Sequence, residues 1–151
     1  MSGRNITETE ETLGAILRLP FQILAKRLYE ELAATGYPDI RSAHGSVFRY
    51  ILPEGSRVSE LAERAQMTKQ SMAYLVESLR ESGYVEVEPD PTDGRARRVC
   101  LTDRGLEVQR KGLEISRRME NEIAEQMGAE RLSELRTLLH ELHFLLKPTK
   151  S

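Results

Sequence analysis

Three observations on this chain of 151 residues predict a mainly α-helical protein with a small β wing. Two short helical patterns joined by a three- or four-residue turn occupy residues 58–84. The hydrophobic period then switches from 3.6 to 2 across a turn-rich hairpin at residues 85–101. Long amphipathic stretches flank that unit on both sides. Together they describe a winged helix-turn-helix set between long N- and C-terminal helices.

The first helix is expected from about Thr9 to Ala34. Leu13, Ile16, Leu17, Pro20, Leu24, Leu28 and Leu32 recur at threes and fours and mark one apolar face. Pro20 has no amide proton and disfavours helical geometry at Leu19, so a kink or break is expected there. The loop Gly36-Tyr37-Pro38-Asp39 leads to a second helix, Ser42 to Leu52, with Val47, Phe48 and Ile51 inward, and Pro53-Glu54-Gly55 ends it.

In residues 58–84, Ser59 is placed to cap a short helix whose inward face is Leu61, Ala62 and Ala65. Thr68 is placed to cap the next helix, and Met67 with Met72 can form a hydrophobic staple that fixes the angle between the two. Leu75, Val76 and Leu79 continue its buried face, and Gly83 stops it. Small Ala62 lets the helices cross closely.

Val85-Glu86-Val87-Glu88 alternates as a half-buried strand, Pro89 to Gly94 supplies turn chemistry, and alternation resumes over Arg97 to Leu101. Thr102 caps a helix expected to run to about Met127, roughly 39 Å at the usual rise. Gly128 ends it. Glu130 to Leu146 forms a last helix with Leu132, Leu135, Leu138, Leu139, Leu142, Leu145 and Leu146. That leucine stripe is wider than the neighbouring elements can cover, which predicts a second chain.

Composition bounds the function. The 22 basic and 24 acidic side chains leave a net charge of −2, so any nucleic-acid footprint must be local. One cysteine excludes an internal disulfide framework and a thiolate-built zinc site. No apolar run approaches the ~18 residues of a membrane span, and the acidic start MSGRNITETEET has no apolar secretory core, so a cytoplasmic protein is expected. A glycine-rich phosphate loop, a nucleophile elbow and paired catalytic carboxylates are all missing, which argues against an enzyme and against a bound cofactor.

The stretch SELAERAQMTKQSMAYLVESLRESGYVEVEPDPTDGRARRVCLTDRG, residues 59–105, resembles the MarR family of bacterial transcription regulators. The similarity rests on leucine-alanine on the support helix, the Ser/Thr cap, Leu75-Val76, Gly-Tyr-Val entering the wing, the Asp-x-Arg signature at Asp93-Gly94-Arg95, and Leu101-Thr102 at the wing exit. The resemblance implies dimerisation helices at residues 1–35 and 105–147, and a winged helix-turn-helix DNA-binding domain at 40–104. It implies a homodimeric repressor on a pseudo-palindromic operator in double-stranded DNA, released by a small effector, aromatic in some relatives. Two positions depart from the family. Gln66 stands where the interhelical turn usually carries glycine, and Tyr74 where an arginine is common.

On the recognition helix, Thr68, Lys69, Gln70, Ser71, Ala73 and Tyr74 fall opposite the buried positions. Gln70 can read adenine, and Ser71 or Ala73 can approach a thymine methyl. An ordinary solvated face has the same composition; its place after a capped turn and before a wing favours DNA. Arg95 and Arg97 are the expected wing contacts. By resemblance, Asp93 pairs with an arginine to shape the wing while Arg95 enters the minor groove. The alternative is that these arginines only balance Glu86, Glu88 and Asp90. Relatives that sense oxidants raise a redox reading for Cys100, but its strand position favours a structural one. His140 and His143 lie one turn apart without an evident third ligand, so no metal site is expected. By resemblance, Phe21, His44 and Phe48 mark the expected effector pocket, between the dimer helices and the winged lobe; a satisfied core or surface histidine is the favoured alternative for His44. A winged helix that binds protein in place of DNA is the remaining alternative.

Overall fold

The computed structural model describes residues 11–149. They form two compact units that divide after Leu113, inside a long helix.

The first unit begins with α1, Leu13–Ala34. Thr12 caps it, its hydroxyl accepting from the Ala15 amide at 3.3 Å; the expected start at Thr9 lies outside the described residues. The helix does not break at Pro20. Proline forfeits one bond to the Ile16 carbonyl, and Pro20 sits on an exposed stretch where water can satisfy that carbonyl. Of the apolar residues on α1 only Leu32 is buried; Leu13, Ile16, Leu17, Leu19, Phe21, Ile23 and Leu24 are exposed.

The expected helix from Ser42 to Leu52 is shorter and in two parts. A 3-10 turn, Ser42–His44, leads into α2, Gly45–Tyr50. Ile51 has already left helical geometry, at φ −69° and ψ 131°. Leu52 precedes Pro53, which crowds it out of the helical region and pulls the end back.

The helix-turn-helix is α3, Val58–Ala65, followed by α4, Lys69–Glu81. Ser59 lies inside α3 and is not its cap; that position belongs to Arg57, which has extended backbone and makes no side-chain cap. Thr68 does cap α4, accepting from the Ser71 amide at 3.1 Å. In the turn between them, Met67 N donates to Ala62 O at 2.9 Å and Gln66 N to Glu63 O at 3.2 Å. This Schellman pair requires a left-handed residue, and Gln66 supplies it at φ 54° and ψ 44°. A side chain there costs about 1–2 kcal/mol that glycine does not. Gln66→Gly should therefore stabilise the fold by about 1 kcal/mol, raising the melting midpoint by roughly 2–4 °C. A lower midpoint in thermal denaturation would mean that the Gln66 side chain contributes a contact outweighing the strain.

The wing is the antiparallel pair β1, Val85–Pro89, and β2, Arg97–Leu101, with Val85 opposite Leu101 and Glu88 opposite Arg98. A third rung, not foreseen from the sequence, joins Ser56 to Val99 through amide–carbonyl bonds of 2.9 and 2.8 Å. Val47 of α2, Leu61 of α3, Met72 and Leu79 of α4, Tyr84 just before β1 and Val99 of β2 are almost fully buried and make the core that fixes the wing against the helices. Burial of each such side chain contributes about 1.5–3 kcal/mol.

Helix α5, Asp103–Met127, leaves the wing directly. Thr102 Oγ1 accepts from Gly105 N at 3.2 Å and donates to Gly83 O at 2.6 Å, so one hydroxyl caps α5 and ties it to the end of α4. The second unit holds the rest of α5 and α6, Ala129–Leu146, separated by Gly128 at φ 96°. Arg136 of α6 pairs with Glu120 of α5. Leu135, Leu138, Leu139, Phe144, Leu145 and Leu146 are exposed on α6. No helix among the described residues is long and apolar enough to cross a membrane.

Candidate nucleic-acid interface

Helix α4 divides into two faces. Met72, Leu75, Val76 and Leu79 are buried, whereas Thr68, Lys69, Gln70, Ser71, Ala73 and Tyr74 are exposed, Tyr74 at 76%. The outward set contains every recognition residue expected from the sequence. Thr68 and Ser71 are partly committed to each other, with Thr68 Oγ1 donating to Ser71 Oγ at 2.8 Å. Gln70 and Tyr74 line an open depression of about 410 Å³ together with Ala43, Met67, Ser71 and Leu75. Ala43 is an addition: the 3-10 turn before α2 borders the same surface.

On the wing, Glu88 and Asp90 are already matched. Arg98 Nε donates to Glu88 Oε1 at 3.0 Å, and the Arg98 guanidinium, with help from Cys100, holds Glu88 below the usual carboxylate range. Arg57 Nε donates to Asp90 Oδ2 at 2.8 Å. The Thr92 hydroxyl and amide, with Arg57, hold Asp90 far below its ordinary value. Arg95 and Arg97 are exposed and have no ion-pair partner among the described residues. The arginine pair expected of Asp93 is found at Asp90. Asp93 instead accepts from the Arg95 amide at 3.1 Å, as a short side chain two residues upstream readily does. Arg95 lies in the turn and Arg97 at the edge of β2, so strand alternation relates Arg97 to Arg98 but does not extend to Arg95.

Cys100 is half-buried beside Glu88, its thiol 3.5 Å from Oε1 and 3.9 Å from Glu54 O. Burial and the Glu88 carboxylate push the thiol up, against Arg98, and disfavour the reactive thiolate. Cys100→Ser should leave DNA affinity within about a few-fold before and after peroxide, because only the thiolate reacts readily. A peroxide-driven release that vanishes in the variant would establish a sensor instead.

His44 is buried. Nδ1 accepts from the Arg41 amide at 2.9 Å and Nε2 lies 3.1 Å from Ser78 Oγ. The ring is therefore a structural link between the 3-10 turn and α4, with its proton on Nε2. Phe48 is half-buried one turn away and Phe21 is exposed on α1; the 410 Å³ depression is lined by none of the three. Burial, then the Arg41 charge, lower His44 from 6.5, with Asp39 opposing. Protonation would also place a hydrogen on Nδ1 facing the Arg41 amide. The unfolded chain thus takes up a proton that the folded chain resists, and the stability held above the ordinary value of 6.5 is lost as pH falls toward the lowered one. Urea midpoints should fall below about pH 6.5, and His44→Asn, which keeps an acceptor for Arg41, should flatten that slope. An unchanged slope would show that another group sets it.

His140 and His143 are exposed on α6, and no group of three potential metal ligands occurs among the described residues.

Residues 39–96 match the MarR family. The solved transcriptional regulator Tm0710 of Thermotoga maritima is 27% identical with a TM-score of 0.61, over 88% of this chain and 92% of that one. The matched segment is the winged helix of that family. The fold extends beyond the matched segment. Apo MarR of E. coli superposes with a TM-score of 0.71 at 22% identity, over 87% of this chain and 96% of its own. A mutant of S. aureus MepR bound to an oligodeoxyribonucleotide superposes with a TM-score of 0.60 at 19% identity, over 91% of this chain and all of its own. No curated relative matches the sequence. The Arg57–Asp90 pair and the Ser56–Val99 bridge escaped sequence reasoning; the only trace of the pair is an unused N-cap arginine.

Proposed function

We propose that the chain is a DNA-binding transcription regulator acting as a homodimer. Residues 40–104 supply the DNA-binding domain, and residues 1–35 and 105–147 supply dimerisation helices. One observation carries the DNA reading: after Arg98 and Arg57 have taken Glu88 and Asp90, Arg95 and Arg97 remain exposed on a wing that follows a capped helix with an outward polar face. The oligodeoxyribonucleotide on the similar MepR supports it. The exposed apolar residues on α1, and separately those on α6, support dimerisation, since exposed apolar faces mark sites of association.

The mechanism follows from symmetry. A two-fold dimer sets one α4 in each of two major grooves, Gln70 and its neighbours meeting base edges, with half-sites about 10 bp apart or a multiple of it. Arg95 probes the flanking minor groove and Arg97 the phosphates. Occupying a cytoplasmic promoter represses it, and a small effector that binds the two subunit spacings unequally relieves the block. At Phe21, His44 and Phe48 such an effector meets a histidine whose ring nitrogens are both engaged, so it contacts the aromatic faces. No catalytic role is assigned.

The test is selection from a random duplex pool. The protein should enrich a pseudo-palindrome, and sediment at twice its 17.2 kDa chain mass. No enrichment would give precedence to a winged helix that binds protein, and a stable monomer at micromolar concentration would remove the two-fold mechanism.

A further inference from the structure

The turn that carries Arg95 is built from two aspartates. Asp90 N donates to Ala96 O at 2.9 Å, Ala96 N to Asp93 O at 3.0 Å, and Asp93 Oδ1 accepts from Arg95 N at 3.1 Å. Asp90 uses Oδ1 for the Thr92 amide and hydroxyl, at 2.8 and 2.7 Å. That leaves Oδ2 for Arg57, which does not belong to the wing. Arg57 is the residue from which α3 starts, and its neighbour Ser56 makes the bridge to Val99 of β2. The wing is thus fastened to the start of α3 at two points, one along β2 and one at the base of its tip.

We propose that Arg57 and Asp90 are positioning residues for DNA recognition: a clamp that holds the wing tip, and with it Arg95, in fixed register with α4. The proposal rests on the DNA-binding reading and adds two residues to it.

Three features support the clamp. α3 and α4 form one rigid piece through the Schellman turn and buried Leu61, Ala62 and Met72, so whatever is tied to the start of α3 is tied to the recognition helix. The Asp90 side chain is only 12% exposed and is fully bonded, which fixes the oxygen that Arg57 meets. Glu60, the other acid near Arg57, stands off at 3.9 Å against 2.8 Å for Asp90. A partly exposed ion pair contributes little to stability; its consequence here is geometric, because a recognition contact tolerates only about 0.5 Å of misplacement.

Simple electrostatics and the clamp differ in sign. Asp90 is an anion in a wing that approaches phosphates, so deleting its charge should strengthen DNA binding if charge alone matters. The clamp requires the opposite. Asp90→Asn keeps an acceptor for Thr92 and removes the anionic oxygen facing Arg57. On the duplex that the parent protein enriches from a random pool, it should bind about five- to tenfold more weakly, as should Arg57→Ala. Arg57→Lys should recover part of the loss. Combining either change with Arg95→Ala should add little, since the clamp acts through Arg95. Without DNA, trypsin should cut after Arg95 several-fold faster in Asp90→Asn than in the parent, at the same melting midpoint. Affinity equal to or above the parent's, losses that add in full to Arg95→Ala, or an unchanged tryptic rate would overturn the clamp while the DNA reading stands. If the parent enriches no duplex, the DNA reading itself falls, and the clamp's role in recognition with it.

Discussion

Gly105→Ala is expected to destabilise the protein by about 3 kcal/mol, the upper range for forcing one extra methyl into a packed site. A methyl there would lie 2.1 Å from the carbonyl oxygen and 3.2 Å from the carbonyl carbon of Tyr84, backbone atoms that cannot rotate away, and 3.1 Å from Leu101 Cδ2. Neither side can yield cheaply. Tyr84 is fully buried, its hydroxyl donating to Asp39 Oδ1 at 2.5 Å, and the Arg104 guanidinium sits 4.6 Å above its ring. Burial, then Asp39, pushes the phenol up to about 12, so the hydroxyl remains a donor throughout the accessible pH range. Helix α5 is held from its own side by Thr102, whose amide donates to that same carbonyl at 3.1 Å. The melting midpoint should fall by roughly 6–12 °C at fixed protein concentration. Gly112 in the same helix supplies the contrast. A methyl there meets nothing within 4 Å, so Gly112→Ala should gain about 0.5–1 kcal/mol from helix propensity. Equal midpoints for the two variants would mean that α5 does not approach Tyr84 this closely.

The sequence made those features legible whose signals are local. Thr68 could be read as a cap because the residues that prove it lie within four positions, and Gln66 drew notice only by resemblance, standing where the family's turn usually carries glycine. The outward face of α4 followed from periodicity alone. Pairs distant in sequence were not legible. Arg57 and Asp90 are 33 residues apart, and Tyr84 and Asp39 are 45 apart; nothing in either local pattern names the partner. Ser59 misled because a serine before an apolar run is a good cap signal, yet the backbone at Arg57 was extended for another reason, the rung that Ser56 makes with Val99. For His44 a satisfied histidine is the favoured reading, but composition cannot show that its partners are Arg41 and Ser78.

On the enriched duplex, Gln70→Ala, Arg95→Ala and Arg97→Ala should each fail in a different way. Gln70 lies in the first turn of α4, exposed and beside Tyr74. If it reads an adenine bidentately, its loss costs about 1–3 kcal/mol per half-site and relaxes preference at one position in each. A symmetric dimer loses two such contacts, so the total reaches roughly 2–6 kcal/mol when they add. Arg97 sits exposed at the start of β2, where the proposed role is a phosphate contact. Its loss should weaken all sequences alike and lower the salt slope by about two per dimer. Arg95, presented by the Asp93 turn, should be intermediate, its removal hurting A·T-rich flanks most because a narrow minor groove concentrates negative potential. Titrations at several salt concentrations, each with a matched non-specific duplex, separate the three. Uniform weakening by Gln70→Ala would move it from reading to positioning. Parent-like binding by all three variants would remove this face as the DNA surface, because Lys69 and the helix amides alone cannot discriminate bases.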